Sequence, residues 1–408
     1  MTTVQKQVDR QNQHISSMEW VNSAGLAKPS PCLSDLTIRR EQIHVKSDIL
    51  YLNLPPEVAQ KFVVYSLVFI LLAAAVGWWG YRQIHLSNAP RTVKIGLVAP
   101  FEGLYRASGY ELLFAVKLAL QERNQGQGLH GYRVELVALN DFNDPVEAAK
   151  QARVLAADPA VLGVVGHLAP AATLAAIPVY QEAQLAVSIP WSVEAALFEP
   201  APQGIVSVAA TVEQTQARLA QVAQGLGLDP RIIISSNPAE IPAGTQAVQL
   251  ATEAVTAGTF LANLSDRAMP VLGQVEAGNL QLVQVAGAKA DGFIFVSPGP
   301  GAAEISADSD FAAAYQALSG LPPGPRAVLA YDSANVLLDS LEQAMIKDQG
   351  YWYARQPSRA EVKASISTIS RLGASGAIVF GPDGHRIDAP VWVYQISEAS
   401  YPGTVINP

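Results

Sequence analysis

Twenty consecutive residues without a charge, Phe62 to Tyr81 (FVVYSLVFILLAAAVGWWGY), constrain this chain more than any other feature. As a helix rising 1.5 Å per residue, such a run spans about 30 Å, the thickness of a bilayer's hydrocarbon core. Lys61 and Arg82 close it at its two ends, and Trp78, Trp79 and Tyr81 cluster where amphipathic rings favour the headgroup level. The stretch therefore reads as one transmembrane helix, residues 62–81. Sixty-one residues precede it, which fits a retained signal anchor better than a cleaved leader.

Orientation follows from the basic residues. Close to the helix, Arg82, Arg91 and Lys94 on the C-terminal side outnumber Lys61 on the other, which taken alone places the C-terminal side inside. The tail as a whole carries seven basic residues, including Arg39-Arg40, and with the character of the downstream region this favours tail inside and large domain outside. Residues 1–61 open Gln-rich and polar and read as a partly disordered tail with one strand-like piece, IHVKSDILYLNL. The single cysteine, Cys32, follows Lys28-Pro29-Ser30-Pro31 rather than an apolar stretch, so it reads as a plain thiol and not a lipidation site. One cysteine excludes an intrachain disulfide and any multi-cysteine metal cluster.

The charge is uneven. The formal net charge is -8, but residues 1–90 hold 8 Lys or Arg against 6 Asp or Glu, and the remainder holds 19 against 29. An acidic C-terminal portion lacks the basic stripe that nucleic acid requires, so no nucleic-acid partner is expected. Half the residues are apolar, enough for a sizeable core.

After a polar linker, residues 82–92, strand and helix patterns alternate. VKIGLVA (Val93 to Ala99), YRVELVAL from Tyr132, VLGVVG (Val161 to Gly166) and LAVSIP (Leu185 to Pro190) read as strands. Helical spacing intervenes at Tyr110 to Arg123 and again after Pro170. Asp144-Pro145 opens another helix, with Glu147 placed to complete a capping box. Strand-helix alternation implies right-handed crossovers and a parallel sheet covered on both faces, with ligands at the carboxyl ends of the strands. A second series is predicted from Ile205: IVSVAA as a strand, a helix over ATVEQTQARLAQVAQGLG, the strand RIIISS at Arg231, a helix around Gly244 to Val255, and strands TFLANL at Thr259 and FIFVS at Phe293. A long helix over Ala327 to Asp348 follows. A closing hairpin is expected between GAIVF and PVWVYQI about the turn Pro382-Asp383-Gly384. The fold class is thus α/β: two doubly wound parallel-sheet lobes preceded by one transmembrane helix, lobe 1 near 93–200 and lobe 2 near 203–300, each completed from the C-terminal region. SPGPGAAE at Ser297 to Glu304 lacks the ending of a phosphate loop and reads as an interlobe linker.

Three stretches carry a resemblance: VKIGLVAPFEGLYRASGYELLFAVKLALQERN, NDFNDPVEAAKQARVLAADPAVLGVVGHLAPAAT and GAIVFGPDGHRIDAPVWVYQI. In order and spacing they resemble the leucine and branched-chain amino acid binding proteins of the type I periplasmic binding family, over most of residues 91–408. The resemblance implies a bilobal receptor that closes on a small ligand for an ABC transporter, with no catalysis, no cofactor and no metal. It places a cleft loop at Glu102 to Ser108, where Tyr105 is the available aromatic ring. It places a carboxylate-binding loop at His167 to Thr173, with Ala169 and Ala171 offering backbone amides at a helix N-terminus and Thr173 a hydroxyl. It also implies a third loop holding Trp191 and Ser192, and an acidic ligand for an ammonium group near Leu264 to Asp266, hence Asp266. The chain departs from the pattern where the usual serines are replaced by Ala169-Pro170-Ala171-Ala172, where Trp191 stands for a small residue, and where one βα unit of lobe 2 is shortened or lost. Tyr105 and Trp191 either line the cleft or pack within a lobe.

No other histidine neighbours His167 in sequence, which points to a structural role; Asp141 and Asp144 read as loop and cap residues. Neither Gly-x-Ser-x-Gly nor His-Glu-x-x-His occurs, so two common hydrolase signatures are missing. The expected partners are a small-molecule ligand, the lipid bilayer through residues 62–81, and an ABC transporter permease. The alternative is a sensor or protein-interaction module with a degenerate cleft and a signalling partner.

Overall fold

The computed structural model describes residues 55–87, 91–199, 202–265, 268–305, 310–346 and 355–406. The strand-like piece of the tail, Cys32 and Asp266 lie outside them. The chain divides into two compact units near Trp78. Helix α1 (Pro56–Ser87) contains Gln60–Tyr81, 22 residues of mean hydropathy 2.2 with none of that window buried. It is longer than the run Phe62 to Tyr81, because nothing between Arg82 and Ser87 breaks a helix, so most of the expected linker is helical.

The first sheet runs in the order β2-β1-β3-β4-β5, all parallel, from β1 (Arg91–Ala99), β2 (Tyr132–Asn140), β3 (Val161–Val165), β4 (Ala186–Ile189) and β5 (Ile205–Ser207). Alternation along β1 sends Val93, Ile95, Leu97 and Ala99 to one face, against α2 (Arg106–Arg123) and α9 (Pro325–Ile346), and Val98 to the other, against α3 (Pro145–Ala157) and α4 (Pro170–Glu182). Gly96 faces α3 with no room for a side chain: a Cβ there would sit 2.5 Å from Leu155 Cδ1. Asp144 caps α3 by accepting from Glu147 N at 2.8 Å. The reciprocal half of the expected capping box is missing, since the Glu147 carboxylate turns to Lys150 and Gln151 instead.

The second sheet has the order β13-β12-β9-β8-β7-β6. Strands β6 (Arg231–Ile233), β7 (Val248–Leu250), β8 (Val271–Gly273) and β9 (Ile294–Ser297) are parallel; β12 (Trp392–Ser397) and β13 (Ser400–Val405) add two antiparallel strands. Helix α5 (Val212–Gly225) covers one face through Leu219 and Val222, and α6 (Ala254–Asn263) and α7 (Leu280–Ala286) cover the other.

Four expectations are corrected. Ile205 opens no second lobe: β5 pairs with β4 and completes the first sheet. TFLANL is helical, because Ala254, Ala257, Phe260 and Leu261 share a buried face at helical spacing and Glu253 caps the helix by accepting from Val255 N and Thr256 N, both at 2.8 Å. Part of the predicted Gly244 to Val255 helix is instead β7, a strand of three residues and too short to show a period. Finally, GAIVF does not pair with PVWVYQI. Strand β11 (Gly376–Val379) forms a hairpin with β10 (Ser370–Gly373), whose turn the buried Asp332 holds by accepting from Ala374 N at 2.7 Å, Ser375 N at 2.8 Å and Ser375 Oγ at 2.5 Å. The turn at Pro382-Asp383-Gly384 closes only an isolated bridge, Phe380 to Arg386.

The chain crosses between the sheets three times: after β5, after β9 through the glycine-rich SPGPG, and after β11. Strand order reverses in the first sheet between β1 and β3, so the loops after β1, β3 and β4 lie together at its carboxyl edge.

Candidate functional site

The loop after β1 ends at Tyr105, which precedes the first turn of α2 with no side-chain cap. Its phenol is held above its usual range by burial and by the charge of Glu253. Glu253 belongs to the second lobe, so Tyr105 stands at the seam between the two. Direct bonds cross that seam close by: Asn279 Nδ2 donates to Ser108 Oγ at 3.0 Å, and the Gln281 amide donates to the Leu104 carbonyl.

The loop after β3 is less open than expected. Ala169 precedes the first turn of α4 and Ala171 is exposed, but Thr173 is buried, with its amide and its hydroxyl both donating to the Ala169 carbonyl at 3.0 Å. A threonine back-bonded into its own helix has spent its proton. His167, next to this loop, is sealed inside the lobe: Nδ1 lies 2.7 Å from Asp141 Oδ2 and Nε2 2.9 Å from Tyr180 OH. With all three residues buried, this chain clamps the loop and reaches no solute.

The loop after β4 carries the features of most interest. Ser192 is 1% exposed, and its hydroxyl has no hydrogen-bond partner. Trp191, 5% exposed, lies with its ring face 4.3 Å from the guanidinium carbon of Arg326. Arg326 is the second residue of α9 and is itself 5% exposed. From there Nη1 reaches across to the second lobe, 3.4 Å from the Gly278 carbonyl and 3.5 Å from the Tyr401 hydroxyl, while Nε has no partner. Burial pushes the Tyr401 phenol up to about 12, against the pull of the Arg326 charge. Glu111, on α2, accepts from Ala327 N at 3.1 Å; burial raises its carboxyl, opposed by Arg326 and by the amides at the start of α9.

Of the sequence-predicted residues, Tyr105, Trp191 and Ser192 sit in loops that meet the second lobe or its contacts; Thr173 points into its helix; Asp266 falls outside the described residues. Arg326 was not anticipated. Its only sequence signal is that it is the one cation of its helix, at the head and directly after Gly324-Pro325. A separate void of about 380 Å³ opens under α6, lined by Leu261, Leu264, Met269 and Phe293, and shares no residue with this seam.

Over residues 92–261 and 241–400 the sequence matches the family described as periplasmic binding protein. It is similar to an amino acid binding protein of Pseudomonas aeruginosa, 27% identical over 119 residues, which are 29% of this chain and only 32% of that relative. Among solved structures it is similar to the branched-chain amino acid transporter substrate binding protein of Streptococcus pneumoniae in complex with isoleucine, with a TM-score of 0.65 at 20% identity, covering 78% of this chain and 100% of the other. A leucine binding protein of Thermotoga maritima gives 0.63 at 21%, covering 78% and 99%. A solute binding protein of R. palustris in complex with benzoate gives 0.63 at 15%, covering 78% and 95%. At these identities the structural likeness is one of fold.

Proposed function

We propose a function from one premise: the chain belongs to the periplasmic binding protein family. We infer that it is a membrane-anchored solute-binding protein that captures a small polar ligand, an amino acid or a related organic acid or amide, between its two lobes. The solute passes to an ABC-type uptake system. Capture is a hinge closure with no chemical step. Helix α1 holds the protein to the bilayer through Gln60–Tyr81, with the large domain on the periplasmic side; protease added to spheroplasts then digests residues 91–408 and spares the tail.

The observation that carries this reading is the Ser192 hydroxyl, buried and unpartnered in the loop after β4, at the carboxyl edge of the first sheet. A buried hydroxyl without a partner costs about 1–3 kcal/mol, and a polar solute in the seam removes that cost. The test is a thermal-shift panel of amino acids, carboxylates and short amides on the full chain in detergent. A ligand at a hundredfold excess over its dissociation constant adds about 2.7 kcal/mol of stability. Ser192→Ala then weakens the hit about tenfold.

One observation favours a second reading, an interaction module with a degenerate cleft: the lobes already bond to each other through Asn279 and Ser108, with Trp191 and Arg326 packed between. A broad panel in which no compound shifts melting decides for this module over solute capture.

A further inference from the structure

We propose that Arg326 is the receptor for a carboxylate on the captured solute, so that this cleft takes organic acids and discriminates against their neutral amides. The inference deepens the solute-capture reading and rests on it.

A guanidinium is always charged, and one that is 5% exposed needs an anion or a full set of acceptors. Arg326 has neither. Among the described residues none of the ion pairs involves it. Its two hydrogen bonds, to the Gly278 carbonyl and the Tyr401 hydroxyl, are both at the long limit and both from Nη1, and Nε has none. Of the two carboxylates that feel its charge, Glu111 is committed to the amide of Ala327 at the head of the same helix, and Glu276 forms no ion pair with the guanidinium.

Trp191 covers one face of the guanidinium, which attracts it through the ring quadrupole but offers no lone pair. The planar edge that includes Nε remains without a partner. A carboxylate fits such an edge as a fork, with two parallel N–H donors reaching its two oxygens, and supplies the missing charge. The Ser192 hydroxyl, adjacent in sequence to Trp191, is a further unused donor. The first turn of α9 adds positive potential where the carboxylate would sit. The second lobe meets this same side chain through Gly278 and Tyr401, so an acid seated on Arg326 lies where closure buries it.

An amide of the same shape brings no charge and places an N–H donor against N–H donors. Its binding is expected to be on the order of 10- to 100-fold weaker than that of the acid. The experiment uses the full chain in detergent and two matched pairs of probes, benzoate with benzamide and leucine with leucinamide, read by thermal shift and calorimetry. The expected result is that at least one acid binds and its amide does so at least tenfold more weakly. Arg326→Gln should abolish that preference and, without ligand, melt close to the wild type, because the lost contact with Trp191 is offset by removing a buried charge that has no direct anionic partner. A merely structural arginine gives instead a lowered melting point of the unliganded variant. Arg326→Lys, which keeps the charge without the fork, should retain part of the acid affinity and covers the case in which the glutamine variant does not fold.

Amides binding as well as acids, or an acid bound equally by Arg326→Gln, overturns the role of Arg326 while solute capture stands. No shift from acids, amides or any neutral solute in the panel overturns solute capture and this inference with it.

Discussion

Replacing Trp191 by alanine removes a buried ring that packs on Arg326. The side chain is 5% exposed, so truncation loses its transfer energy and leaves a cavity, about 3–5 kcal/mol for a buried tryptophan. The guanidinium 4.3 Å from its face contributes further, up to about 2 kcal/mol for a desolvated cation over an indole. The expected loss is therefore about 3–7 kcal/mol, with the cation–π part separable in a cycle with Arg326→Gln. The double variant should be less destabilised than the sum of the single ones, by about 1–2 kcal/mol. Urea unfolding of the full chain in detergent, followed by circular dichroism at 222 nm, measures all four species. A loss below about 1 kcal/mol for Trp191→Ala refutes the packing argument, for it means that the ring is not buried without a ligand. A strictly additive cycle refutes the Trp191–Arg326 contact alone.

Gly96→Ala should cost about 1–3 kcal/mol by overpacking against Leu155, and Leu155→Ala on that background should cost less than it does alone, since the new methyl fills part of the space; paired melting curves check both. Asp332→Ala leaves the Ala374 and Ser375 amides without their acceptor and should cost about 3 kcal/mol or more, with faster hydrogen exchange at those two amides. His385 packs on Phe198 with a ring separation of 3.9 Å and both ring nitrogens unpartnered, and burial lowers its pKa below 6.5 against the raising influence of Asp383 and Glu213. The unfolded chain therefore takes up this proton first, so the contribution is complete above the unfolded value of 6.5 and is lost as pH falls through it toward the folded pKa. In His385→Leu the melting temperature should fall less between pH 7 and pH 5 than in the wild type, as melting at matched ionic strength would reveal.

The first lobe was legible because its strands are long and apolar and its helices announce themselves: Asp144-Pro145 caps α3 where the sequence puts it, and the residues of β1 alternate between two cores. The second lobe was less so. Strands β6, β7 and β8 have three residues each, too few for a period, and Thr259-Phe260 reads as β-branched and aromatic although the burial of Ala257 and Leu261 makes it helix. Pairing partners are also non-local. Nothing in GAIVF says that it folds back on SRLG, because the decisive acceptor is Asp332, some 42 residues away from Ala374. The site divides in the same way. Loops after strands follow from topology, so Tyr105, Trp191 and Ser192 could be named; Arg326 gains its meaning from Gly278 and Tyr401, 48 and 75 residues distant.

The threefold crossing of the chain has a consequence for synthesis. The face of the first sheet formed by Ile95, Leu97 and Val206 is covered in part by α9, and about 120 residues separate the end of β5 at Ser207 from Pro325. At roughly 5–20 residues per second that face waits on the order of 10 s for its cover after the last of its strands leaves the ribosome. During that interval α2 alone covers that face, so part of its apolar surface stays exposed on the nascent chain, and a fragment that stops before α9 is expected to keep it exposed.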